Sequence, residues 1–381
     1  MKSYQLTAKT FAGLENVLAS EIKNIGGKNI KPGRRAVYYE GDLEMIYKSN
    51  YFLRTALRIL KEIDFFQFKD VDQFYLYCKK IKWDNFFNVD QSFAINSTVS
   101  GSGEFRNSMF ASLKVKDALV DYFRDKTGKR PNVDTQNPDI AINVHINKNT
   151  CTISLDSSGE SLHKRGYRVI QGEAPLNEVL AAGMILLSGW DGNSDFVDPM
   201  CGSGTLPIEA AFIAQNIPAG KFRKKYAFQN WPDYNEELFE NISKVTEKRE
   251  FRYNIYASDI SGGNLLNAQT NARRALVFNK IKFKTADFKD LVLDVSANTI
   301  VIINPPYGER LKSPNLDNLY AMIGERLKHR FTGCTACILS ASTSSVKQIA
   351  LKPSKKIKLF NGPLECNYNM YRLFSGKLAQ Q

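Results

Sequence analysis

The first 60 residues carry two kinds of apolar pattern, which predict strands and helices in alternation. Alternating apolar and polar residues predict strands at YQLTAK and AVYYEG. Apolar residues with a helical period predict helices at GLENVLASEIKNIGG and LEMIYKSNYFLRTALRIL. Gly26 and Gly27 follow the first of these helices and are suited to end it.

The mixed pattern continues to about residue 160. SFAINSTVS is typical of a strand, RNSMFASLKVKDALVDYFRDKTG of a helix, and IAINVHIN with NTCTISLDSSG of two strands joined by a turn. Strands and helices in units this short, closed by a hairpin, predict compact α+β modules.

Near residue 165 the pattern changes to apolar runs that alternate with helical segments. APLNEVLAAGMILLSGW predicts a helix with Pro175 in its first turn. DFVDPMCGSGTLPIEAAFIAQ then predicts a strand, a glycine-rich turn and a helix. Later strands are predicted at FRYNIYASDI, IKFKTAD, TIVIINPP and TACILSAS, with helical segments such as GNLLNAQTNARRALV and DNLYAMIGERLKHRF between them. This alternation predicts an α/β fold with a mostly parallel, doubly wound sheet. The terminal segment KKIKLFNGPLECNYNMYRLFSG predicts a hairpin that adds an antiparallel edge.

Composition points to a polyanionic partner. The chain of 381 residues has a net charge of +13 and a pI near 9.3, and both halves carry part of the excess. The N-terminus lacks the apolar segment of a secretory signal, and no apolar run is long enough to cross a bilayer. We therefore expect a cytoplasmic protein without a membrane partner. Cys334 and Cys337 form a C-x-x-C pair inside a predicted buried strand, and the other cysteines are scattered, so no metal site is expected.

The segment FVDPMCGSGTLPIEA places a glycine-rich turn at the end of a predicted strand. Gly202 and Gly204 let the backbone approach a ligand closely, and Thr205 is a candidate N-cap of the next helix. No Lys-Ser or Lys-Thr follows the glycines, and Pro207 stands where a dinucleotide motif has its third glycine, so neither a P-loop nor a dinucleotide site is expected. The residues predicted to bind the cofactor in this segment are Asp198, Pro199, Cys201, Gly202, Ser203, Gly204 and Thr205.

Two further strand-like runs end on acidic residues. Asp259 ends YASD and is followed by Ile260, and Asp287 ends KTAD. Carboxylates at these positions can accept hydrogen bonds from ribose hydroxyls and from an adenine amino group, although each Asp alone is also typical of a helix N-cap. Together with the glycine turn, Asp259, Ile260 and Asp287 predict a site for an adenosine ligand without a pyrophosphate, such as S-adenosylmethionine.

The segment TIVIINPPYGERL ends a buried strand on Asn304, Pro305, Pro306 and Tyr307. The exocyclic amine of a base is a weak nucleophile. The Asn304 side-chain oxygen and the Pro305 carbonyl can accept its N–H groups, so that its lone pair faces a methyl donor. The prolines stiffen the loop, and Tyr307 offers a ring on which an extruded base can stack. We predict that these four residues are catalytic and that Asn304 also contacts the donor.

DPMCGSGTLPIEAA and NPPYGERL resemble the class I methyltransferases that modify the N2 amine of guanine in RNA. TFAGLENVLASEI and LHKRGYR are similar to the THUMP-containing branch, specifically the bacterial 23S ribosomal RNA guanine-N2 methyltransferase group. The resemblance implies a ferredoxin-like module at 1–60 and a THUMP domain at 61–164, both binding RNA. It also implies a Rossmann-like methyltransferase domain at 165–381 that has a mostly parallel seven-stranded sheet and binds S-adenosylmethionine. Some members carry a second methyltransferase domain, and because this sequence ends at Gln381 we expect a stand-alone form.

Basic residues in two regions are candidates for RNA backbone contacts. In the THUMP-like region they are Arg106, Lys114, Lys116, Lys129 and Arg130. Residues 218–237, PAGKFRKKYAFQNWPDYNEE, are called the insert below, and its basic candidates are Lys221, Arg223, Lys224 and Lys225. Phe222, Tyr226, Phe228 and Trp231 interleave with them, which suits phosphate contact combined with base stacking. We expect the insert to border the target-base pocket, and a solvated basic loop is an equally good interpretation.

The leading prediction is a guanine-N2 methyltransferase acting on 23S ribosomal RNA. Adenine-N6 methylation stays open because Asn-Pro-Pro-Tyr serves that amine too, and transfer RNA stays open because THUMP domains often bind it. A non-catalytic RNA-binding ribosome-assembly factor is disfavoured by the intact Asp198, Gly202, Gly204, Asn304 and Tyr307.

Overall fold

The computed structural model describes residues 2–168, 176–245, 249–306, 313–341 and 344–374. The strands in these ranges are β1 Tyr4–Lys9, β2 Lys28–Gly33, β3 Ala36–Gly41, β4 Arg58–Gln67, β5 Phe93–Ser100, β6 Ile140–Asn147, β7 Thr150–Asp156, β8 Phe196–Asp198, β9 Ile255–Asp259, β10 Ile281–Thr285, β11 Ile300–Ile303, β12 Thr335–Ser340, β13 Lys355–Asn361 and β14 Leu364–Arg372. The α-helices are α1 Glu15–Asn24, α2 Leu43–Phe52, α3 Val71–Lys80, α4 Ser108–Thr127, α5 Glu178–Leu187, α6 Thr205–Ala214, α7 Glu236–Lys244, α8 Gly262–Arg274 and α9 Ser313–Arg330.

A single seven-stranded sheet runs through the first 156 residues, in the order β2-β3-β1-β4-β7-β6-β5. Strand β4 joins its two parts, because it pairs antiparallel with β1 on one side and with β7 on the other. The predicted hairpin of β6 and β7 is confirmed. Helix α4 is confirmed as well, with Asn107 as its N-cap and Gly128 in the left-handed conformation at its end.

The helix predicted over LEMIYKSNYFLRTALRIL is only partly right. Asp42 caps α2 by accepting the Met45 N–H, but the backbone turns extended at Leu53 and enters β4 at Arg58. Ile59 and Leu60 are apolar residues that suit a helix face or a buried strand equally well, so periodicity cannot separate the two. Pairing with β1 and β7 decides for the strand, because it gives the backbone its hydrogen-bond partners on both sides.

The second sheet has the order β10-β9-β8-β11-β12-β14-β13. Its first five strands are parallel, and β14 pairs antiparallel with both β12 and β13. The prediction of a mostly parallel sheet with a closing antiparallel hairpin is therefore confirmed. Strands β8 and β11 lie side by side although far apart in the chain, which makes their carboxyl ends the point where the strand order reverses.

Helix α5 begins at Glu178, and the Asn177 side chain accepts the N–H groups of Val179 and Leu180. Pro175, which the sequence places in the first turn, lies outside the described residues. No helix in the described ranges is both long enough and apolar enough to span a membrane.

The insert packs against the N-terminal sheet. Phe228 and Trp231 are buried in the hydrophobic core of that half. The Phe228 N–H donates to the Ser157 carbonyl at 3.1 Å, and the buried Lys61 ammonium binds Asp233 at 2.9 Å. The insert therefore joins the two halves of the molecule by a second route, separate from the chain connection at residues 157–168, which we call the linker.

Candidate active site

The glycine-rich turn lies at the carboxyl end of β8. Gly202 and Gly204 have φ angles of +53° and +85°, which other residues adopt only with strain. A Cβ at Gly204 would lie 3.1 Å from the Ala268 Cα, so this glycine also lets α8 approach closely. A Cβ at Gly202 would meet no atom of the described residues within 4 Å, so the backbone there faces open space in that part of the chain. This combination suits a turn packed on one side and open to a ligand on the other.

Three neighbouring residues hold the backbone of this turn. The Gly202 N–H donates to Asp259 Oδ2 at 2.9 Å, and the Asn271 side chain on α8 donates to the Ser203 carbonyl at 3.1 Å. The Cys201 N–H donates to the Ser258 carbonyl at 2.9 Å. The acid that ends β9 therefore shapes the turn itself. Its Oδ1 already accepts from the Ser261 N–H and the Asn264 amide, so Oδ2 is the oxygen that can also accept from a ligand. Asn271 was not singled out from the sequence, because nothing in GNLLNAQTNARRALV distinguishes it from an ordinary polar helix residue.

Thr205 does not cap the helix, contrary to the sequence-based prediction. Gly204 occupies the N-cap position without a side-chain hydrogen bond, and Thr205 is the first residue of α6. Its hydroxyl accepts a hydrogen bond from Arg168 at 2.8 Å instead. The physical reason is that the left-handed Gly204 backbone already begins the helix, which leaves the hydroxyl free for a residue of the linker.

Asp198 is buried at the end of β8, next to this turn. Burial raises the pKa of its carboxyl well above the ordinary value, the Met200 N–H that it accepts lowers it, and the nearby Asp259 charge raises it again. Two acids so close together favour a cationic or proton-donating partner.

Asp287 and Ile260 lie further along the same edge. Asp287 is the N-cap of a short 3-10 helix, where its side chain accepts the Lys289 N–H at 3.0 Å. The N-cap role that the sequence left open for this acid is therefore observed. Ile260 follows β9 and is 70% exposed. Their contact with a donor stays a prediction.

Asn304 follows β11, whose four residues are all buried. Its side-chain Oδ1 is buried and has no hydrogen-bond partner within the described part of the chain. The following Pro305 is buried and Pro306 half-buried. Tyr307 lies outside the described residues, so its predicted stacking role stays a prediction. Because β11 and β8 are neighbours, Asn304 lies at the same edge as Asp198 and the glycine turn.

The residues at this edge fit an adenosine-type methyl donor. Asp198 and Asp259 supply carboxylates, Gly202 leaves open space, and the Ser258 hydroxyl and Asn304 Oδ1 are buried polar atoms without a partner in the described ranges. An unpaired buried acceptor costs about 1–3 kcal/mol. A ligand that donates hydrogen bonds here would remove that penalty.

The basic candidates of the N-terminal half lie on or beside α4. Arg106, Lys129 and Arg130 are exposed. Lys114, Lys116 and Arg130 line a concavity of about 520 Å³ that is formed by α4, the segment after it and Tyr75 of α3. Lys116 is paired with Asp117 at 2.8 Å, so it is less free to bind a phosphate.

The four basic candidates of the insert are not equivalent. Lys221, Lys224 and Lys225 are exposed, and the first two line a concavity of about 500 Å³ with Tyr51 and Lys244. The Arg223 guanidinium instead donates hydrogen bonds to four backbone carbonyls of the linker, those of Ser158, Glu160, Ser161 and Lys164. Those contacts bind the insert to the linker and leave little of Arg223 for RNA.

The stacking hypothesis for the insert is corrected by the structure. Tyr226, Phe228 and Trp231 are buried between the two halves, so their faces are not open to a base. The insert also begins beyond the C-terminal end of α6, a helix of ten residues and therefore about 15 Å long. Since α6 starts at the glycine turn, the insert lies towards the opposite edge of the sheet from Asn304. The start of the insert gives no support to a position beside the target-base pocket, and that part of the hypothesis stays a prediction.

Models of three protein families match the chain. The model described as RMKL-like, methyltransferase domain, matches residues 165–370. A THUMP domain model matches residues 68–156, and an RlmL ferredoxin-like domain model matches residues 5–60. Together they span most of the sequence.

Two curated relatives match over nearly the whole chain. One is a protein of Synechocystis sp. that is named as an RNA methyltransferase by inference, and it is 36% identical over 95% of both chains. The other is the ribosomal RNA large subunit methyltransferase K/L of Psychromonas ingrahamii, 39% identical over 96% of this chain. This chain spans about half the length of that relative, 49%.

A solved structure has the same fold throughout. The crystal structure of a proposed methyltransferase complexed with S-adenosylhomocysteine (SAH) aligns with a TM-score of 0.88 at 30% identity. The alignment covers 99% of this chain and 100% of the other. The arrangement of both sheets is thus that of a known methyltransferase-like architecture.

Proposed function

We infer a specific reaction from the premise that this chain belongs to the RMKL-like methyltransferase family. We propose that it transfers a methyl group from S-adenosylmethionine to the exocyclic N2 amine of a guanine in 23S ribosomal RNA. The observation that carries the proposal is the buried Asn304 Oδ1, which has no hydrogen-bond partner among the described residues and lies at the same sheet edge as the glycine turn. A relative bearing the large-subunit ribosomal RNA methyltransferase name supports the choice of substrate.

The donor when bound supplies an electrophilic methyl group on a sulfonium. In this proposal Gly202 leaves room for the donor, and Asp259 Oδ2 accepts a hydrogen bond from a ribose hydroxyl; the open space at Gly202 among the described residues supports it. Asp198, Pro199, Cys201 and Ser203 complete the proposed contacts, with Ile260 and Asp287 at the adenine side. The solved structure with the same fold was crystallised in complex with SAH, the demethylated product, which supports this assignment.

Asn304 and Pro305 act on the target amine in this proposal. The Asn304 Oδ1 and the Pro305 carbonyl accept its two N–H groups, which directs the nitrogen lone pair towards the methyl group. As the N–C bond forms, the S–C bond breaks, its electron pair goes to sulfur, and the amine loses one proton to solvent. Fixed acceptors need no reorganisation during the reaction. Pro306 and Tyr307 are assigned to loop stiffness and base stacking.

The N-terminal half is assigned to RNA binding. We propose the divisions 1–60, 61–164 and 165–381 for the ferredoxin-like, THUMP and methyltransferase domains, which the family matches support. Backbone phosphates would contact Arg106, Lys114, Lys129 and Arg130 on the THUMP side and Lys221, Lys224 and Lys225 on the insert. The net charge of +13 supports a polyanionic substrate.

The product of the reaction tests this proposal directly. The purified protein is incubated with S-adenosylmethionine and unmodified 23S or transfer RNA, and the nucleosides are identified by mass spectrometry. N2-methylguanosine in 23S RNA only is the expected result. N6-methyladenosine would overturn the choice of base, and product in transfer RNA only would overturn the choice of RNA. No product despite donor binding would require a repeat with pre-ribosomal particles, and failure there as well would favour the binding-factor alternative.

The proposed RNA surface of the insert has its own test. Changing Lys221, Lys224 and Lys225 to Glu should abolish RNA binding in a filter assay and leave donor affinity unchanged, because these ammonium groups are exposed and lie away from the glycine turn. The matched control changes two exposed lysines on an edge strand, K355E and K356E. Equal RNA affinity of the triple variant and the wild type would remove the insert from the RNA surface.

A further inference from the structure

Arg168, at the end of the linker, reaches the glycine turn through its guanidinium group. Nη1 donates to Ser203 Oγ at 3.2 Å, and Nη2 donates to Thr205 Oγ1 at 2.8 Å. Nε donates to Glu178 Oε1 at 2.8 Å. The side chains of this ion pair are only 11% and 6% exposed. One nearly buried arginine thus connects the donor turn to the first residue of α5.

These contacts differ in kind from the others that hold the turn. Asp259 and Asn271 bind backbone groups, the Gly202 N–H and the Ser203 carbonyl. Arg168 instead binds two side-chain hydroxyls, one on the turn and one on the first residue of α6. A planar guanidinium can hold both at once, because its N–H groups point in fixed directions.

The linker also contacts the face of α6 that carries Thr205, one helical turn towards the C-terminal end of the helix. Thr205 and Glu209 are four residues apart and therefore neighbours on the helix surface. Arg165 Nε donates to Glu209 Oε1 at 3.4 Å, and the Tyr167 hydroxyl donates to the same oxygen at 3.3 Å. Arg165 also donates to the carbonyl of Arg54 in the N-terminal half. The linker therefore follows α6 towards its N-terminus and ends at the glycine turn.

We propose that Arg168 is a positioning residue for the methyl donor. It fixes the hydroxyls of Ser203 and Thr205, so that the turn keeps the backbone conformation in which Gly202 faces open space. The inference rests on the proposed function, because it concerns the same donor site. Glu178 offsets the charge of Arg168, so the effect is one of geometry. Lysine keeps the charge but offers no planar set of donors, so it cannot replace the arginine.

Donor affinity of the full-length protein tests the proposal without any RNA. Isothermal titration with SAH compares the wild type, R168K and R168M. We expect the dissociation constant for SAH to be about tenfold higher in both variants, because each loses one or two hydrogen bonds to a charged group. The matched control is R252M, which removes an exposed arginine that pairs only with Glu250 in the described structure. With RNA as substrate, the variants should raise the KM for S-adenosylmethionine and leave kcat at saturating donor unchanged, which a general loss of folding would not do.

A double-mutant cycle checks the route through Thr205. T205V removes the hydroxyl that accepts the hydrogen bond from Arg168. R168M/T205V should bind no more weakly than R168M alone, because both changes remove one interaction. Unchanged affinity in R168K and R168M overturns the inference, and so do strictly additive effects. T205V and R168K carry the test if R168M does not fold. A wild type that binds no SAH would overturn the proposed donor instead.

Discussion

At the scale of single residues, the site consists of buried polar groups whose environment in the free protein is unfavourable. Asn304 Oδ1 is buried without a partner in the described part of the chain, and the Ser258 hydroxyl shares that condition. Asp198 is buried beside a second acid. Each of these groups would gain from a ligand that donates hydrogen bonds or carries positive charge. A sulfonium donor and an amine acceptor together meet both requirements.

Removal of the Asn304 acceptor should slow methyl transfer. In N304A the target amine loses the oxygen that orients its lone pair, so kcat should fall roughly 100-fold, the scale seen when one preorganised transition-state partner is removed. Steady-state kinetics with RNA and S-adenosylmethionine measures this. The matched control N241A changes an exposed asparagine on α7. A kcat in N304A equal to that of the control would exclude Asn304 from catalysis.

The raised pKa of Asp198 predicts a pH-dependent effect on stability. A carboxyl whose pKa is raised in the folded state binds its proton more tightly there, so its contribution to stability declines as pH rises from about 4, the unfolded value, through the folded pKa. D198N has a neutral amide and lacks this decline. Its melting temperature relative to the wild type should therefore be higher at pH 8 than at pH 5 in donor-free protein. A difference that does not vary with pH would contradict the raised pKa.

At the scale of elements, the site depends on two strands that lie side by side and on the helix that follows the first. Strands β8 and β11 are neighbours in the sheet, so Asp198 and Asn304 come to one edge although about a hundred residues separate them. The turn after β8 then leads into α6, whose close approach to α8 requires a glycine at position 204. The two glycines of the turn thus serve different purposes.

Alanine at each glycine separates these purposes. Both positions have positive φ, so each variant carries backbone strain of about 1 kcal/mol. In G204A the new methyl also meets the Ala268 Cα at about 3.1 Å, so its melting temperature should fall further than that of G202A. In G202A the methyl enters open space, so the main loss should be donor affinity. Thermal melts and SAH titration of both variants decide this, and equal melting temperatures would contradict the packing role of Gly204.

At the scale of the whole molecule, the two halves are held in one arrangement by two connections. The linker is fixed by Arg165 and Arg223, and the insert is buried against the N-terminal sheet at Trp231. The Lys61 ammonium lies 4.9 Å from the Trp231 ring and binds Asp233 on the same insert. An RNA bound to the N-terminal half would therefore meet the edge that carries the glycine turn and Asn304 at a fixed distance and angle.

Truncation of Trp231 should loosen this arrangement. W231A removes a buried ring from the contact between the insert and the N-terminal sheet, and large-to-small changes of this kind cost about 3–5 kcal/mol. Urea unfolding followed by circular dichroism should show that loss, and trypsin should cleave faster at Lys221, Lys224 and Lys225. The control F65A removes a ring that is 55% exposed, and it should change neither the stability in urea nor the rate of cleavage by trypsin. Unchanged proteolysis in W231A would show that the insert does not depend on this contact.

The sequence alone determined the class of fold and predicted the chemistry of the site. Alternating strands and helices predicted the parallel sheet, because a strand buried on both faces and a crossover helix each leave a local apolar pattern. The glycine turn and the motif around Asn304 predicted a methyl donor beside an amine, because both depend on residue types that few other roles require. The resemblance to a methyltransferase family, which the matches confirm, rests on those same short segments.

Only the tertiary structure decided which residues meet across long distances. The end of α2 at Phe52, the shared strand β4 and the burial of the insert all depend on pairing and packing partners far away in the chain. The hydroxyl of Thr205 binds Arg168, and the Arg223 guanidinium binds the carbonyls at the linker. A sequence shows that a residue is basic, aromatic or hydroxylated, but whether that group faces solvent, a ligand or another part of the protein is set by the folded chain around it.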